Sequence, residues 1–278
     1  MNKILIAIHE IWLETLMAAF MSKEQASKQK LFDFSDIFFR HFTWVENGLI
    51  KQNINYDYNR NTIPIKVDNL QIIIGDIIRR LNTLELSLVD CEDKALSQRI
   101  ETDIKYMKFT LSQIDDEKVS SFDMGRVLDG IPLSEEATDA LTLFLFEESY
   151  KEYELIMIYN YLKAHSSEQN LIRIFQILID ESFYHLKQFG QMMSDMGILG
   201  VPRIIAKELY QVENITQFLE NGINEELNAK EECKKLSDAV ASENATLSKF
   251  FDFINYQENY HIELMKEALS QYKKETNV

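Results

Sequence analysis

The sequence has 278 residues, and its 45 acidic side chains outnumber 29 basic ones, which gives a formal net charge of -16 at pH 7. This charge disfavours nucleic acid and anionic membrane surfaces as partners, because both would repel the protein. Only 8 Gly and 3 Pro interrupt a chain rich in Leu, Ile, Glu and Lys, so the composition predicts long helices and an all-α fold.

The first half of the chain is predicted to hold four helices in two hairpins. These helices cover residues 3–22, 34–52, 68–90 and 94–114. A polar stretch over residues 53–66 separates the hairpins, and it is long enough to cross the end of a bundle. Residues 1–115 are therefore predicted to form one four-helix unit.

A second unit is predicted over residues 134–278, after a linker at 116–133. The linker is acidic and contains Gly125, Gly130 and Pro132, and Ser134-Glu135-Glu136 then signals a helix start. The long helices of this unit are predicted at residues 134–165, 168–196, 215–242 and 245–272. A short helix ending at Tyr210 is predicted in the long connection between the second and third of them.

The two units share short matches in the same order, which indicates an internal duplication. Asp36-Ile37-Phe38-Phe39-Arg40-His41 aligns with Asp180-Glu181-Ser182-Phe183-Tyr184-His185 and keeps Asp, Phe and His. Met107-Lys108 and Leu111-Ser112-Gln113 align with Met265-Lys266 and Leu269-Ser270-Gln271. The second alignment sets Asp103 opposite His261.

The last helix carries a Glu and a His in the middle of an apolar stripe. The stripe steps by three and four residues through Leu247, Phe251, Ile254, Glu258, His261, Met265, Ala268 and Tyr272. An unpaired acid and imidazole in a packed core would cost several kcal/mol, so a partner is expected there, and a metal ion is the strongest candidate.

Carboxylates recur at one offset on the neighbouring helices. Glu225 lies 33 residues before Glu258, and Glu148 lies 33 residues before Glu181. The helix of Glu148 has the seam Leu141, Leu145, Glu148, Glu152, Leu155, Tyr159 and Leu162. In two antiparallel hairpins, equal sequence offsets place the paired carboxylates at the same level along the bundle axis.

These residues resemble the ferritin-like di-iron carboxylate proteins, in the branch that holds bacterioferritin and the rubrerythrin catalytic domain. That family has one Glu on the first and third helices and Glu-x-x-His on the second and fourth. The resemblance assigns the ligands as Glu148, Glu181, His185, Glu225, Glu258 and His261. It implies two tandem ferritin-like bundles, two bound iron ions or iron with manganese, and dioxygen or peroxide as reactant.

The second helix departs from the family pattern, because it has Glu181-x-x-x-His185. A π-bulge could absorb the extra residue. Alternatively, Glu181 is not a ligand, Ser182 takes the inward position, and the site is distorted or holds a single metal. Asp180 and Glu147 could substitute as ligands, and Glu226 competes with Glu225 for the inward position.

In the first unit Ile100 occupies the place of Glu258, and Asp103 that of His261. This predicts a degenerate site that serves as scaffold or interface. A mononuclear site of Glu10, Glu14 and His41 is the alternative.

Three functions remain open at this point. The resemblance implies an oxidase or peroxidase-type enzyme, or a ferroxidase, and a separate protein would supply electrons because Cys91 and Cys233 form no rubredoxin-type site. The alternatives are a non-catalytic iron-binding or sensing protein and a metal-free helical scaffold. The apolar run at residues 4–8 is interrupted by His9 and Glu10, which argues against a signal peptide and for a cytoplasmic protein. A homodimer fits the resemblance.

Overall fold

The computed structural model describes residues 1–63, 69–119, 128 and 132–276 of the chain. These residues form nine helices and no strand, and one isolated bridge joins Asn69 to Lys118. The prediction of an all-α protein is confirmed.

The helix boundaries lie close to the predicted ones, with one large difference. The helices are α1 (Asn2–Met21), α2 (Gln25–Lys51), α3 (Leu70–Leu88), α4 (Lys94–Leu111), α5 (Glu135–His165), α6 (Gln169–Asp195), α7 (Lys207–Tyr210), α8 (Ile215–Val240) and α9 (Ala245–Thr276). Helix α2 begins nine residues before the predicted start. The carboxylate of Glu24 caps its first turn by accepting a hydrogen bond from the backbone N–H of Ser27 at 2.6 Å.

The chain divides into two compact units. The first consists of Met1–Asp123 and Val201–Lys207, and the second of Met124–Gly200 and Glu208–Val278. The segment Val201–Lys207 was expected in the second unit, but the Arg60 guanidinium donates hydrogen bonds to the backbone carbonyls of Pro202 and Arg203 at 2.7 and 3.0 Å. Most of the predicted linker 116–133, including Gly125 and Gly130, lies outside the described residues, as does Pro64.

Helix α1 is the core helix of the first unit. It packs against α2 and α3, and α4 packs against both of these helices. Helix α1 is long and apolar enough to cross a membrane by length and composition, with a mean hydropathy of 1.6 in its most apolar window, but 89% of that window is buried inside the protein. The core helix of a soluble protein passes the same test, so the cytoplasmic location stays a prediction.

The second unit repeats this pattern of neighbours. Helix α5 packs against α6, α8 packs against α9, and the two hairpins meet through α5 with α8 and α6 with α9. Paired helices run antiparallel, since Tyr159 lies by Phe175 at one level and Phe144 by Phe189 at another. Phe144 also contacts Phe251 of α9 with ring centroids 5.2 Å apart, in an apolar core toward one end of the unit.

Candidate metal centre

Six ionisable side chains are buried where the four long helices of the second unit meet. None is more than 8% exposed, and every long helix contributes at least one. They are Glu148 and Glu152 of α5, His185 of α6, Glu226 of α8, and Glu258 and His261 of α9. Four acids and two imidazoles in one interior are costly unless they pair with one another or bind cations.

Glu258 lies between the two histidines. Its Oε1 is 3.8 Å from Nδ1 of His185, and its Oε2 is 2.8 Å from Nδ1 of His261. The two oxygens of one carboxylate therefore face different imidazoles. This is the arrangement of a carboxylate that bridges two cations.

A further carboxylate faces each imidazole. Glu152 Oε1 is 2.9 Å from Nδ1 of His185, and Glu226 Oε2 is 3.8 Å from Nδ1 of His261. We call Glu152, His185 and Oε1 of Glu258 the His185 half-site, and Glu226, His261 and Oε2 of Glu258 the His261 half-site. In the latter, one ligand atom from each residue lies within 4.8 Å of the others.

One buried atom of the His261 half-site, Nε2 of His261, has no hydrogen-bond partner among the described residues, whereas Oε2 of Glu258 is 2.8 Å from Nδ1 of His261. An atom without a partner costs about 1–3 kcal/mol in a closed interior. Two ligands that are each about 2.1 Å from one ion lie roughly 3–4 Å apart. The separations in both half-sites are close to this range, so the residues present fit metal ions with imidazole and carboxylate ligands.

The pKa values of the histidines follow from the surrounding carboxylates. Burial lowers the pKa of His185, but the negative charges of Glu152 and Glu258 outweigh burial and raise it to about 9. Burial also opposes protonation of His261, whose carboxylate neighbours nevertheless raise its pKa to about 12. In the metal-free protein, both imidazoles are therefore cationic at neutral pH.

The carboxyl group between the histidines is shifted in the same direction. Burial, together with the nearby carboxylate of Glu226, raises the pKa of Glu258 to about 8. The pKa values of His185, His261 and Glu258 are therefore all raised, which favours bound protons in the centre of the metal-free protein. Metal ions would compete with these protons for the same atoms.

Glu148 lies at the edge of the centre, where its Oε1 accepts a hydrogen bond from Nζ of Lys151 at 2.6 Å. Burial raises the pKa of Glu148, and Lys151 opposes this shift. The predicted first-helix ligand is therefore buried but already paired with a cation. Glu152, one turn later on the same face, makes the contact with His185.

Glu181 also lies at the edge, with 31% of its side chain exposed. Its Oε2 is 3.8 Å from Nε2 of His261 and accepts a hydrogen bond from Nε2 of Gln257 at 3.3 Å. The contact with His261 lowers the pKa of Glu181. Glu181 thus faces the orphaned nitrogen of His261 rather than His185, which follows it on its own helix.

Glu225, predicted to point inward, is exposed, and the buried position belongs to Glu226. The buried face of α8 runs through Leu219, Glu226, Cys233 and Val240, so Glu226 rather than Glu225 lies on it. The inward placement of Glu225 is thus corrected. Adjacent residues point about 100° apart on a helix, so only one of the two can face the centre.

The structure also distinguishes between the alternatives that were open for Glu181 on α6, the second long helix of this unit. Helix α6 is α-helical from Gln169 to Asp195, with no π-bulge. Ser182 is buried, while Asp180 and Glu147 are exposed to solvent. Neither exposed acid replaces Glu181 at the centre.

Two participants were not predicted as ligands or neighbours of the site. Glu152 lies on the predicted seam of α5, so its position one turn after Glu148 was the available signal. The sequence pattern did not indicate Gln257 as a site residue, because Gln257 lies beside the apolar stripe of α9 and not in it. Its Oε1 is 3.3 Å from Nε2 of His185, so it bridges His185 to Glu181.

In the first unit, the acids of α1 are paired with an arginine. Arg80 places its Nη1 2.8 Å from Oε2 of Glu10 and its Nε 2.7 Å from Oε2 of Glu14. His41 is instead paired with Asp103, with 2.8 Å between its Nε2 and Oδ2 of Asp103. A cation at Glu10 and Glu14 would have to displace a guanidinium.

No protein-family model matches the sequence, and neither a curated protein nor a solved structure matches it.

Proposed function

We propose that the second unit is a ferritin-like four-helix bundle that binds two metal ions, iron or iron with manganese, and that the first unit is a degenerate copy. The observation that supports this best is Glu258, whose two carboxylate oxygens face two different buried histidines. A scaffold held together by ion pairs has no need for a buried imidazole nitrogen without a hydrogen-bond partner, such as Nε2 of His261.

In this proposal His185 and Glu152 would hold one ion, and His261 and Glu226 would hold the other. Glu258 would offer one carboxylate oxygen to each. Glu181 and Glu148 lie within reach of the edges and complete a set of carboxylates and imidazoles typical of the family. The roles of Glu148 and Glu181 as direct ligands stay predictions.

Iron bound by oxygen and imidazole ligands would supply one-electron oxidation and reduction and coordination positions open to dioxygen or peroxide. The protein's own residues would hold this chemistry in a shielded interior. The Tyr159 hydroxyl is buried and has no hydrogen-bond partner among the described side chains, and burial together with Glu226 raises its pKa well above the usual value. Tyr159 therefore keeps its proton, and its hydroxyl can donate a hydrogen bond near the centre.

We propose an oxidase or peroxidase-type reaction, with a ferroxidase as the closest variant and a separate protein as electron donor. The test is to load the protein with ferrous iron without oxygen, admit dioxygen or peroxide, and follow the near-ultraviolet absorbance. Prompt oxidation in the wild type, lost in His185→Ala, is expected. Tight iron binding without oxidation would contradict the enzymatic proposal and leave an iron-binding or sensing protein.

A further inference from the structure

A cleft of about 710 Å³ opens between α5 and α8 and reaches the metal centre. Glu152, Glu226 and Glu258 line its inner end. Glu258, which is 4% exposed, belongs to this inner wall. The cleft is therefore the route by which a molecule outside the bundle could approach the centre.

Apolar side chains form part of the cleft wall, beside polar ones such as Gln217 and Asn221. Leu155 and Ile158 of α5 face Phe218 of α8 and Met265 of α9 across it. Gly222 lets Met265 pack closely against α8, because a Cβ there would lie 3.1 Å from Sδ of Met265. A hydrated metal ion gains little from apolar side chains, whereas the volume and the lining are typical of a site for a small organic molecule.

The outer end of the cleft is acidic. Glu208, Glu213 and Glu225 are exposed around it. Among the described residues that line the cleft, Lys151 is the one basic side chain, and its Nζ is 2.6 Å from Oε1 of Glu148. A cleft whose walls have low polarity and whose charged residues are mostly acidic attracts cations and concentrates them at its mouth.

We infer that the cleft binds an organic amine, a molecule with one ammonium group and an apolar body. Metal ions at the inner end would offset the charge of the buried carboxylates, so the mouth is the place for the ammonium. The apolar body then lies along Ile158 and Phe218 with its far end at the centre. That this end meets reactive metals rests on the proposed function, whereas binding of the amine does not.

The test compares octylamine, octanol and octanoate, which share one alkyl chain and differ in charge. Isothermal titration calorimetry of the full-length protein should show octylamine binding at least about tenfold more tightly than octanoate, with octanol between them. Raising the salt concentration should reduce the difference, because the acids at the mouth are exposed.

Two variants locate the site. Ala229→Phe places a ring on the cleft wall at a partly exposed position and should weaken octylamine binding at least about tenfold. The double change Glu208→Gln/Glu213→Gln should reduce the preference for the amine over octanol. The matched control, Glu231→Gln/Glu232→Gln, alters two exposed acids of α8 that do not line the cleft and should bind octylamine like the wild type.

Protein loaded with Mn²⁺ shows which end of the bound octylamine faces the metal centre. It also separates the proposal of an amine-binding cleft from the proposal of a metal centre. The paramagnetic ion should broaden the terminal methyl resonance of octylamine more than the resonance next to nitrogen. Equal binding of octylamine and octanoate, or octylamine binding unchanged by Ala229→Phe, would overturn the inference even where two metals bind. Amine binding that follows these expectations in a protein without metal affinity would support the cleft and refute the metal centre.

Discussion

Glu226, and not the predicted Glu225, faces the buried centre, and this difference gives a direct test of the metal site. The two residues are adjacent on α8, but Glu226 is 8% exposed and Glu225 faces solvent. Glu226→Ala should remove the metal ion of the His261 half-site and leave the ion of the His185 half-site. Glu225→Ala should leave both ions, which makes it a matched control in helix, charge and position.

The expected loss of metal affinity in Glu226→Ala follows from the number of protein ligands in the His261 half-site. Glu226 is one of three protein groups of the His261 half-site, with Oε2 3.8 Å from Nδ1 of His261. Loss of an outer residue that only orients a ligand already costs about 10–100-fold in metal affinity. Loss of a direct carboxylate should cost more than about 100-fold, or about 2.7 kcal/mol.

The assay is an anaerobic titration with ferrous iron followed by a metal count after desalting. Glu226→Ala is expected to retain one ion per chain and Glu225→Ala two. If Glu225→Ala lost an ion and Glu226→Ala kept both, the assignment of the inward position would be refuted. If both variants bound metal like the wild type, the His261 half-site would not exist.

Three other consequences can be measured. Metal binding at pH 7 should release up to three protons, because pKa values of about 8, 9 and 12 favour protonation of the Glu258 carboxyl and of both histidines without metal. Calorimetry in two buffers counts the released protons, and no release would contradict the metal site. Because all three pKa values are raised above their unfolded values, the metal-free protein should lose thermal stability as the pH rises from 6.5 to 9, and a flat profile would argue against buried protonated groups. Arg80→Ala should destabilise the first unit by about 2 kcal/mol in urea, since two acids lose their cation, whereas exposed Arg40→Ala should cost less than about 0.5 kcal/mol.

Much of the fold could be predicted because most of the long helices carry an apolar stripe, while α1 is apolar along most of its length. The exception, the start of α2, shows the limit of that signal. Residues 25–33 are mostly polar, and Glu24 is an uncommon capping residue, so the first turns of α2 gave no apolar stripe. The placement of Val201–Lys207 in the first unit was likewise invisible, since it depends on hydrogen bonds from Arg60, distant in sequence.

The site could be predicted in outline and not in detail. Buried positions for Glu148, Glu258 and His261 followed from their seams, and that of His185 from the family resemblance. The offset of 33 residues was informative, but it pairs Glu152 with His185 rather than Glu148 with Glu181. Periodicity gives relative positions along a helix, whereas the absolute rotation depends on packing against three other helices.

The central claim is that Glu258 bridges two metal ions. The most direct measurement is the number of ferrous ions bound per chain by the wild type, by Glu258→Ala and by Glu263→Ala, an exposed acid on the same helix. Two ions in the wild type and in Glu263→Ala, with both lost in Glu258→Ala, is the expected result. No stoichiometric metal in the wild type, or two ions retained without Glu258, would contradict the account and leave a helical scaffold whose buried acids and histidines pair only with one another.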